Sequence, residues 1–160
     1  DLAAVETIAT LSDDKSTVII NGTKRWCTGA RFADYMICLV RSGAADAKYK
    51  NLSMALVPLD TPGIEIVDLD HIGLRYAKTT DVVLTNVEIP VENILGGFSS
   101  WNRGWDMLAS EALDVEKLEI TGVALGIAAA AVDNAWEYAQ QRKQFGHLIS
   151  ARPRPSWWPR

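Results

Sequence analysis

The stretch NGTKRWCTGARFAD, residues 21–34, decides how the first half of this chain folds. Asn21-Gly22 is a strong hairpin signal, because both residue types tolerate the positive φ angles of a two-residue turn. The β-rich runs on either side are therefore predicted as two antiparallel strands. Trp26 and Thr28 stand two residues apart on the second strand. Strand alternation has a period of two, so the indole ring and the hydroxyl are predicted on the same side.

Short β-rich runs separated by polar turns extend from Thr17 to about Pro90. After the predicted hairpin come DYMICLVR at 34–41, LSMALVPL at 52–59, IEIVDLD at 64–70 and DVVLTNVEIP at 81–90. Several short strands with turns between them predict a β-barrel or a sandwich.

The apolar period becomes helical from about Gly104 to Arg142. One apolar stripe is predicted, and it consists of Leu118, Gly122, Leu125, Ala129, Val132, Trp136 and Ala139. A helix with such a stripe needs partner helices. We therefore expect an α+β chain in which a β-barrel or sandwich domain is followed by a long helix that opens an incomplete four-helix bundle.

Composition excludes several classes of function. The net charge of −4 lacks the basic excess that a nucleic-acid partner requires. Cys27 and Cys38 form no C-x-x-C pair, so neither a metal site nor a disulfide is predicted. No apolar run approaches the roughly 18 residues of a membrane span, and no targeting segment is visible.

The last ten residues, ARPRPSWWPR at 151–160, hold three of the six prolines and show no periodicity. Proline excludes a helix interior there. The segment is interpreted either as a loose end or, in preference, as the product of a frameshift.

Four ordered segments make the chain resemble the central part of an acyl-CoA dehydrogenase. DLAAVET at 1–7 resembles the family's run into its middle domain, and 18–42 resembles its N-G-x-K-x-W-I-T segment. HIGLRYAKTTDVVLTNVEIPVENILG at 71–96 resembles the K-M-G-x-R segment, and 112–146 resembles the long helix that begins L-D-x-E-R and ends R-x-x-F-G. The resemblance implies that residues 1–97 are the middle β domain and that 98–150 begin the C-terminal helical domain.

The same resemblance implies an FAD site on the stretch quoted first. Trp26 packs against the flavin ring, Thr28 donates a hydrogen bond to it, and backbone groups near Cys27 contribute. An indole is a suitable flat face for such a ring. The alternative from the residues alone is a core tryptophan beside a strand-end threonine.

The family's reaction removes two hydrogens from the α and β carbons of an acyl-CoA thioester, and a carboxylate takes the α proton. Such a base works best in an apolar pocket, which raises the pKa of a carboxyl group. The resemblance implies Glu116, in the LDVEKL segment, as the candidate base, although most members carry that base further along the chain. Asp114 and Lys117 are the candidates for contacting the CoA part of the substrate.

Arg142, Gln144 and Phe145, in RKQFG, are implied to reach the pyrophosphate and adenine side of FAD in a neighbouring subunit. The residues alone allow another interpretation, a helix C-terminus with an arginine suited to the helix dipole and a glycine stop.

The resemblance also implies an electron-transferring flavoprotein as acceptor, a homodimer or homotetramer of the complete protein, and a bacterial cytoplasmic or mitochondrial matrix location. Two other functions stay open: a non-catalytic truncated remnant, and an acyl-CoA oxidase or flavin monooxygenase of the same fold. The isolated chain is expected to be inactive.

Overall fold

The computed structural model describes residues 3–73, 75–109 and 113–151. The chain divides into two compact units, residues 1–110 and residues 111–160.

The first unit is built on one six-stranded mixed sheet. Its strands are β1 Ile8–Leu11, β2 Thr17–Thr28, β3 Tyr35–Arg41, β4 Leu52–Pro58, β5 Ile64–Asp68 and β6 Thr79–Pro90. Their order is β4-β3-β1-β2-β6-β5; β1 and β3 are parallel and the other pairs are antiparallel. Among the described residues no pairing joins the edge strands β4 and β5, so the sheet is open. The α+β class is confirmed, and the predicted runs from residue 34 onward correspond to β3 to β6.

The prediction of a hairpin at Asn21-Gly22 is wrong, because β2 runs straight through these residues. At this point β2 contributes one residue, Asn21, and β6 contributes two, Thr85 and Asn86. The irregularity is therefore a bulge in β6. The side-chain oxygen of Asn21 accepts a hydrogen bond from the Asn86 backbone N–H at 2.8 Å. Pairing along the whole length of β6 thus outweighs the local turn preference. The short strand β1, which pairs with β2 on its other edge, has too weak a pattern to be predicted.

The core of the first unit lies on one side of the sheet. Val18 and Ile20 from β2 meet Val82, Val87 and Ile89 from β6, and each is at most 1% exposed. Branched side chains suit such a pleated, buried surface. This core forms from residues within the first unit alone.

The helical prediction is confirmed for the described residues. Helix α1 covers Gly104–Met107 and helix α2 covers Leu113–Gln141; residues 110–112 lie outside the described part. No described residue of α2 is buried, and the predicted stripe is exposed except for the half-buried Ala139. Large apolar side chains, Ile120, Val123 and Ile127, also occupy nearly the opposite side of the helix. The expectation of a single stripe is therefore wrong.

A short hairpin follows α2. Its strands are β7 Lys143–Gln144 and β8 His147–Leu148, joined by Phe145 at φ 52° and Gly146 at φ 82°. Two consecutive positive φ angles are the geometry of a tight two-residue turn. Gly146 therefore belongs to this turn and does not stop the helix. Residues 152–160 of the predicted irregular tail lie outside the described residues.

None of the helices in the described residues has the length and apolar character to cross a membrane.

Candidate functional site

A second bulge interrupts β2 at the predicted flavin residues. Lys24 pairs with Val82 and Cys27 pairs with Thr80, so Arg25 and Trp26 together oppose the single residue Asp81. Trp26 has φ 62°, an uncommon conformation for a bulky side chain. Positive φ costs about 1–2 kcal/mol for a residue with a Cβ, so the surrounding structure must hold it in place.

The bulge reverses which side chains of β2 face the core. Val18 and Ile20 point inward before it, whereas Cys27 is the half-buried residue after it. Trp26 and Thr28 have the same parity as Val18 and Ile20, and an uninterrupted strand would turn them toward the core. With the bulge, both are exposed, and Trp26 is 64% exposed. Trp26 is therefore not a core tryptophan.

Three hydrogen bonds hold the strained segment. The fully buried Thr80 donates its hydroxyl to the Cys27 carbonyl oxygen at 2.9 Å, and the Gly29 N–H donates to the Lys78 carbonyl at 3.0 Å. On the other edge, Lys24 Nζ donates to the Leu39 carbonyl at 2.7 Å. The chain on both sides of Trp26 is thus fixed to β6 and β3.

Thr28 pairs with Thr79 on β6, and their hydroxyl oxygens lie 3.2 Å apart. A hydroxyl carries one O–H donor and two acceptor lone pairs. Their mutual bond uses one of the two O–H groups, so when Thr79 is the donor, the Thr28 O–H is left to donate elsewhere. Next to it, Gly29 adopts φ 82°, and a Cβ built there would meet no atom within 4 Å. Thr28 itself is exposed.

Arg25 lies against Trp26. The central carbon of its guanidinium is 4.9 Å from the centroid of the indole ring, within cation–π range. Its Nε is 3.7 Å from Asp81 Oδ1. One face of the exposed ring is thus occupied by a cation that is paired to the opposite strand.

Electrostatics keep both thiols neutral. Burial raises the pKa of Cys27, with a smaller opposing effect from Lys24. Burial raises the pKa of Cys38 to about 11. A thiol held protonated is a poor nucleophile and a poor metal ligand. The Cys27 thiol is therefore suited to neither role. The described residues include no group of three side chains able to hold a metal ion.

A hollow of the first unit lies outside the predicted site. It has a volume of about 580 Å³ and is lined by Ala30, Arg31, Ala33, Asp34, Tyr35, Leu59, Asp60 and Ile66. Arg31 is held at its edge by Asp68, with Nε and Oδ1 2.7 Å apart, and by the Ile66 carbonyl at 2.9 Å. Because Arg31 bonds a carbonyl of β5, its side chain supports a sheet edge.

In the second unit, the predicted base Glu116 is exposed in the first turn of α2. It lines a shallow depression of about 420 Å³ together with Leu113, Lys117, Ile120 and Thr121. Lys117 Nζ lies 3.0 Å from Asp114 Oδ1, and both side chains are about three-quarters exposed. The structure therefore brings the two predicted substrate residues together as an ion pair one turn apart and places the carboxylate of Glu116 at a mostly apolar depression.

The other predicted cofactor residues follow the end of α2. The Arg142 N–H donates to the Tyr138 carbonyl at 2.9 Å, which completes the last turn of the helix. Gln144 lies on β7 opposite His147, and Phe145 forms the turn with its ring 86% exposed. Three predicted residues thus lie on one short projecting hairpin and its approach.

Sequence reasoning missed Arg25, Thr79 and Asp81 as parts of the Trp26 surface. Alternation places Arg25 and Trp26 on opposite sides of a strand, so only knowledge of the bulge brings them together. The adjacent hydroxyls of Thr79 and Thr80 could have indicated these contacts only if the residues that pair with them on β2 had been known.

Residues 1–87, more than half of the chain, match the model of the acyl-CoA dehydrogenase middle domain, and residues 102–154 match that of its C-terminal domain. An acyl-CoA dehydrogenase of Alternaria alternata, AFT10-1, is 36% identical over 128 residues, which cover 80% of this chain and 28% of the relative.

Two solved structures have a similar fold. The butyryl-CoA dehydrogenase of Megasphaera elsdenii matches with a TM-score of 0.83 and 30% identity, over 93% of this chain and 38% of its own. A Bacillus anthracis acyl-CoA dehydrogenase, solved with FAD, matches with a TM-score of 0.81 and 26% identity, over 94% of this chain and 24% of its own. This chain thus spans between a quarter and two-fifths of the proteins that it matches. It belongs to the acyl-CoA dehydrogenase family.

Proposed function

We propose that this chain is part of an FAD-dependent enzyme that dehydrogenates acyl-CoA thioesters between the α and β carbons. The observation that carries the proposal is the bulge of β2, which turns Trp26 and Thr28 out of the core side by side. An exposed indole next to a hydroxyl has no role in the core of the first unit. Family membership supplies the ligand that such a surface would hold.

In this proposal residues 1–97 are the middle domain and residues 98–150 begin the C-terminal domain. The two family models support this division, because they match on either side of the stretch from residue 88 to residue 101.

Each predicted flavin-site residue of the first unit has surroundings that allow the role proposed for it. The free face of Trp26 packs on the flavin ring. Thr28 donates to an acceptor atom of that ring in the arrangement in which Thr79 donates the bond between the two hydroxyls. The backbone at Cys27 adds polar groups whose position is fixed by Thr80. FAD, when bound, supplies the two-electron acceptor for the hydrogen that leaves the β carbon of the substrate.

Glu116 is proposed to take the α proton of the acyl chain. Glu116 lines one depression with Leu113 and Ile120, whose side chains are apolar, and a base of this kind works best in apolar surroundings. Asp114 and Lys117 are proposed to hold the CoA part. Their ion pair is exposed and weak, so that a ligand could replace it at little cost.

Arg142, Gln144 and Phe145 are proposed to reach the pyrophosphate and adenine side of FAD in a neighbouring subunit. Gln144 and Phe145 are both exposed in the hairpin that follows α2. This role requires a homodimer or homotetramer. An electron-transferring flavoprotein is the proposed acceptor, and the proposed location is the bacterial cytoplasm or the mitochondrial matrix.

The flavin site is tested by adding FAD to the 160-residue chain and following tryptophan fluorescence, corrected for absorption with free tryptophan. We expect FAD to reduce the emission, and Trp26→Phe to remove most of that reduction. Trp105→Phe is the matched control, because Trp105 stacks on Tyr49 with ring centroids 4.6 Å apart, in the same unit. Equal quenching in both variants, or none in the unmodified chain, would contradict the site.

The base is tested with Glu116→Gln in a form of the protein that turns over an acyl-CoA. Loss of an acid–base group costs a factor of about 10²–10⁴ in rate. Glu119→Gln, on the same helix, is the control. A Glu116→Gln rate near that of the unmodified enzyme would remove Glu116 as the base. We expect no dye reduction by the 160-residue chain alone, and steady reduction with FAD and an acyl-CoA would show that expectation to be wrong.

A further inference from the structure

We propose that Arg25 is a positioning residue, which fixes one face of the Trp26 indole so that the other face is held ready for the flavin. The positioning of the ring stands on contacts within the chain. Its consequence for flavin binding rests on the proposed function.

The first argument is the contact itself. The guanidinium carbon of Arg25 lies 4.9 Å from the centroid of the Trp26 ring, and both side chains are more than 60% exposed. An exposed indole without a neighbour would sample several rotamers. A planar cation stacked on the ring restricts this sampling, because the attraction to the ring quadrupole is strongest above the face.

The second argument is how the contact arises. Residues i and i+1 of a regular strand point to opposite sides. Arg25 and Trp26 share a side because the two oppose Asp81 and because Trp26 has φ 62°. The strained bulge therefore has a specific result, since it places an arginine next to the exposed ring.

The third argument is the anchor of Arg25. Asp81 Oδ1 is buried and has no hydrogen-bond partner in the described residues, and Arg25 Nε lies 3.7 Å from it. A buried carboxylate oxygen without a hydrogen bond is unfavourable unless a cation is close. Asp81 thus holds the guanidinium of Arg25 beside the indole ring of Trp26, which is 64% exposed.

A ring that is ordered before the ligand arrives loses less conformational entropy on binding. Arginine is suited to this role because its guanidinium is planar and stacks on aromatic faces, whereas the ammonium of lysine is a compact point charge. A lysine at residue 25 would keep the charge near Asp81 and lose the stacking. This difference separates positioning from a general effect of charge.

The test uses the 160-residue chain labelled with 5-fluorotryptophan and ¹⁹F NMR without FAD. The Trp26 resonance is identified by its loss in Trp26→Phe. We expect Arg25→Gln and Arg25→Lys to move this resonance toward its position in the urea-unfolded chain. Arg25→Lys, which keeps a cation near Asp81, should do so without changing the unfolding midpoint. Arg103→Gln is the control, since Arg103 forms an exposed ion pair with Asp106 in the same unit. A Trp26 resonance that stays in place in both Arg25 variants would overturn the proposal.

Asp81→Asn gives a second approach that leaves Arg25 intact. We expect it to move the Trp26 resonance in the same direction as Arg25→Gln, because the anchor of the guanidinium is lost. An unchanged resonance in this variant would overturn the part of the proposal that assigns the anchor to Asp81.

A titration with FAD then tests the consequence for binding. We expect Arg25→Gln to weaken FAD binding by about two- to fivefold, which corresponds to one exposed cation–π contact. If the unmodified chain binds no FAD while the Trp26 resonance moves in the variants, the proposed function fails and the positioning of the ring stands. Unchanged FAD affinity in Arg25→Gln would overturn the link between positioning and flavin binding.

Discussion

The sheet unit and the helix α2 differ in how they use apolar side chains. In the sheet unit, Ile20, Val40 and Val82 are fully buried in one core, which is formed by strands far apart in sequence. In α2, Leu125 is 70% exposed, and no described residue of the helix is buried. The two regions therefore have unequal sources of stability. The first unit contains its own core, and α2 has helix propensity and apolar surface on opposite sides.

This difference shows which elements have their apolar side chains buried by contacts within their own unit. A strand with buried neighbours on both edges is specified by contacts within the unit. A helix with apolar residues on opposite sides is typical of one that is covered on both sides. Variants in the two regions should accordingly have very different effects in this chain.

The largest expected effect is that of truncation in the sheet core. Ile20→Ala should lower the free energy of unfolding of the first unit by about 2–5 kcal/mol, because it removes fully buried methyl groups and leaves a cavity. The matched variant in α2, Leu125→Ala, should change stability by less than about 0.5 kcal/mol. Urea unfolding with hydrogen exchange of peptides from β2 and from α2 measures both. A loss for Leu125→Ala as large as that for Ile20→Ala would show that α2 is packed in solution.

The next effect is a loss of stability in alkali that originates in the sheet unit. Cys38 has a folded pKa of about 11 against an ordinary value of 9.0, so the folded unit favours the protonated thiol. This contribution is complete below pH 9 and is lost as the pH rises to about 11, and a difference of about two pKa units corresponds to roughly 2–3 kcal/mol. Urea unfolding at pH 8 and at pH 11 measures the loss. Cys38→Ala should flatten this dependence, and an equally steep dependence in the variant would exclude Cys38 as its source.

Glycine substitutions should have opposite signs in the two regions. Gly63 has φ 92°, and a Cβ there would overlap the Thr85 carbonyl oxygen, so Gly63→Ala should destabilise the sheet unit by about 1–3 kcal/mol. Gly126 lies in α2 with open space around it, and Gly126→Ala should stabilise the helix by up to about 1 kcal/mol. Circular dichroism at 222 nm during thermal unfolding follows the helix, and hydrogen exchange in β5 and β6 follows the sheet. Two effects of the same sign would break the comparison.

The smallest effects are those of ion pairs. Lys117→Gln removes the exposed pair with Asp114 and should cost less than about 0.5 kcal/mol of helix stability. Arg31→Gln should cost more, about 1 kcal/mol, because it also removes the hydrogen bond to the Ile66 carbonyl at the sheet edge. Local exchange rates in α2 and in β5 give the two values. A larger loss of stability in Lys117→Gln than in Arg31→Gln would contradict the conclusion that the exposed pair of Lys117 contributes little.

Much of the fold could be predicted from single segments. The β-rich runs that correspond to β3 to β6 and the helical period of α2 are local patterns, and both were confirmed. The hairpin at Asn21-Gly22 was wrong because a local turn preference competed with pairing along the length of β6. The prediction of a single stripe on α2 was wrong because it considered the apolar residues of one side of the helix and left out those of the other side.

The site was predictable in its residue types and not in its geometry. Trp26 and Thr28 stand out through the motif that surrounds them. The contacts with Arg25, Thr79 and Asp81 depend on the register between β2 and β6, which is a relation between residues more than 50 positions apart.

The sequence by itself determined the class of the fold, the family and the residue types that could meet a flavin, because these follow from local periodicity and short motifs. Only the tertiary structure decided that Trp26 and Thr28 face outward. Val18, Ile20, Trp26 and Thr28 have the same parity, and a regular strand would bury all four. The extra residue opposite Asp81 reverses the alternation, and hydrogen bonds from distant residues hold the strained tryptophan in place.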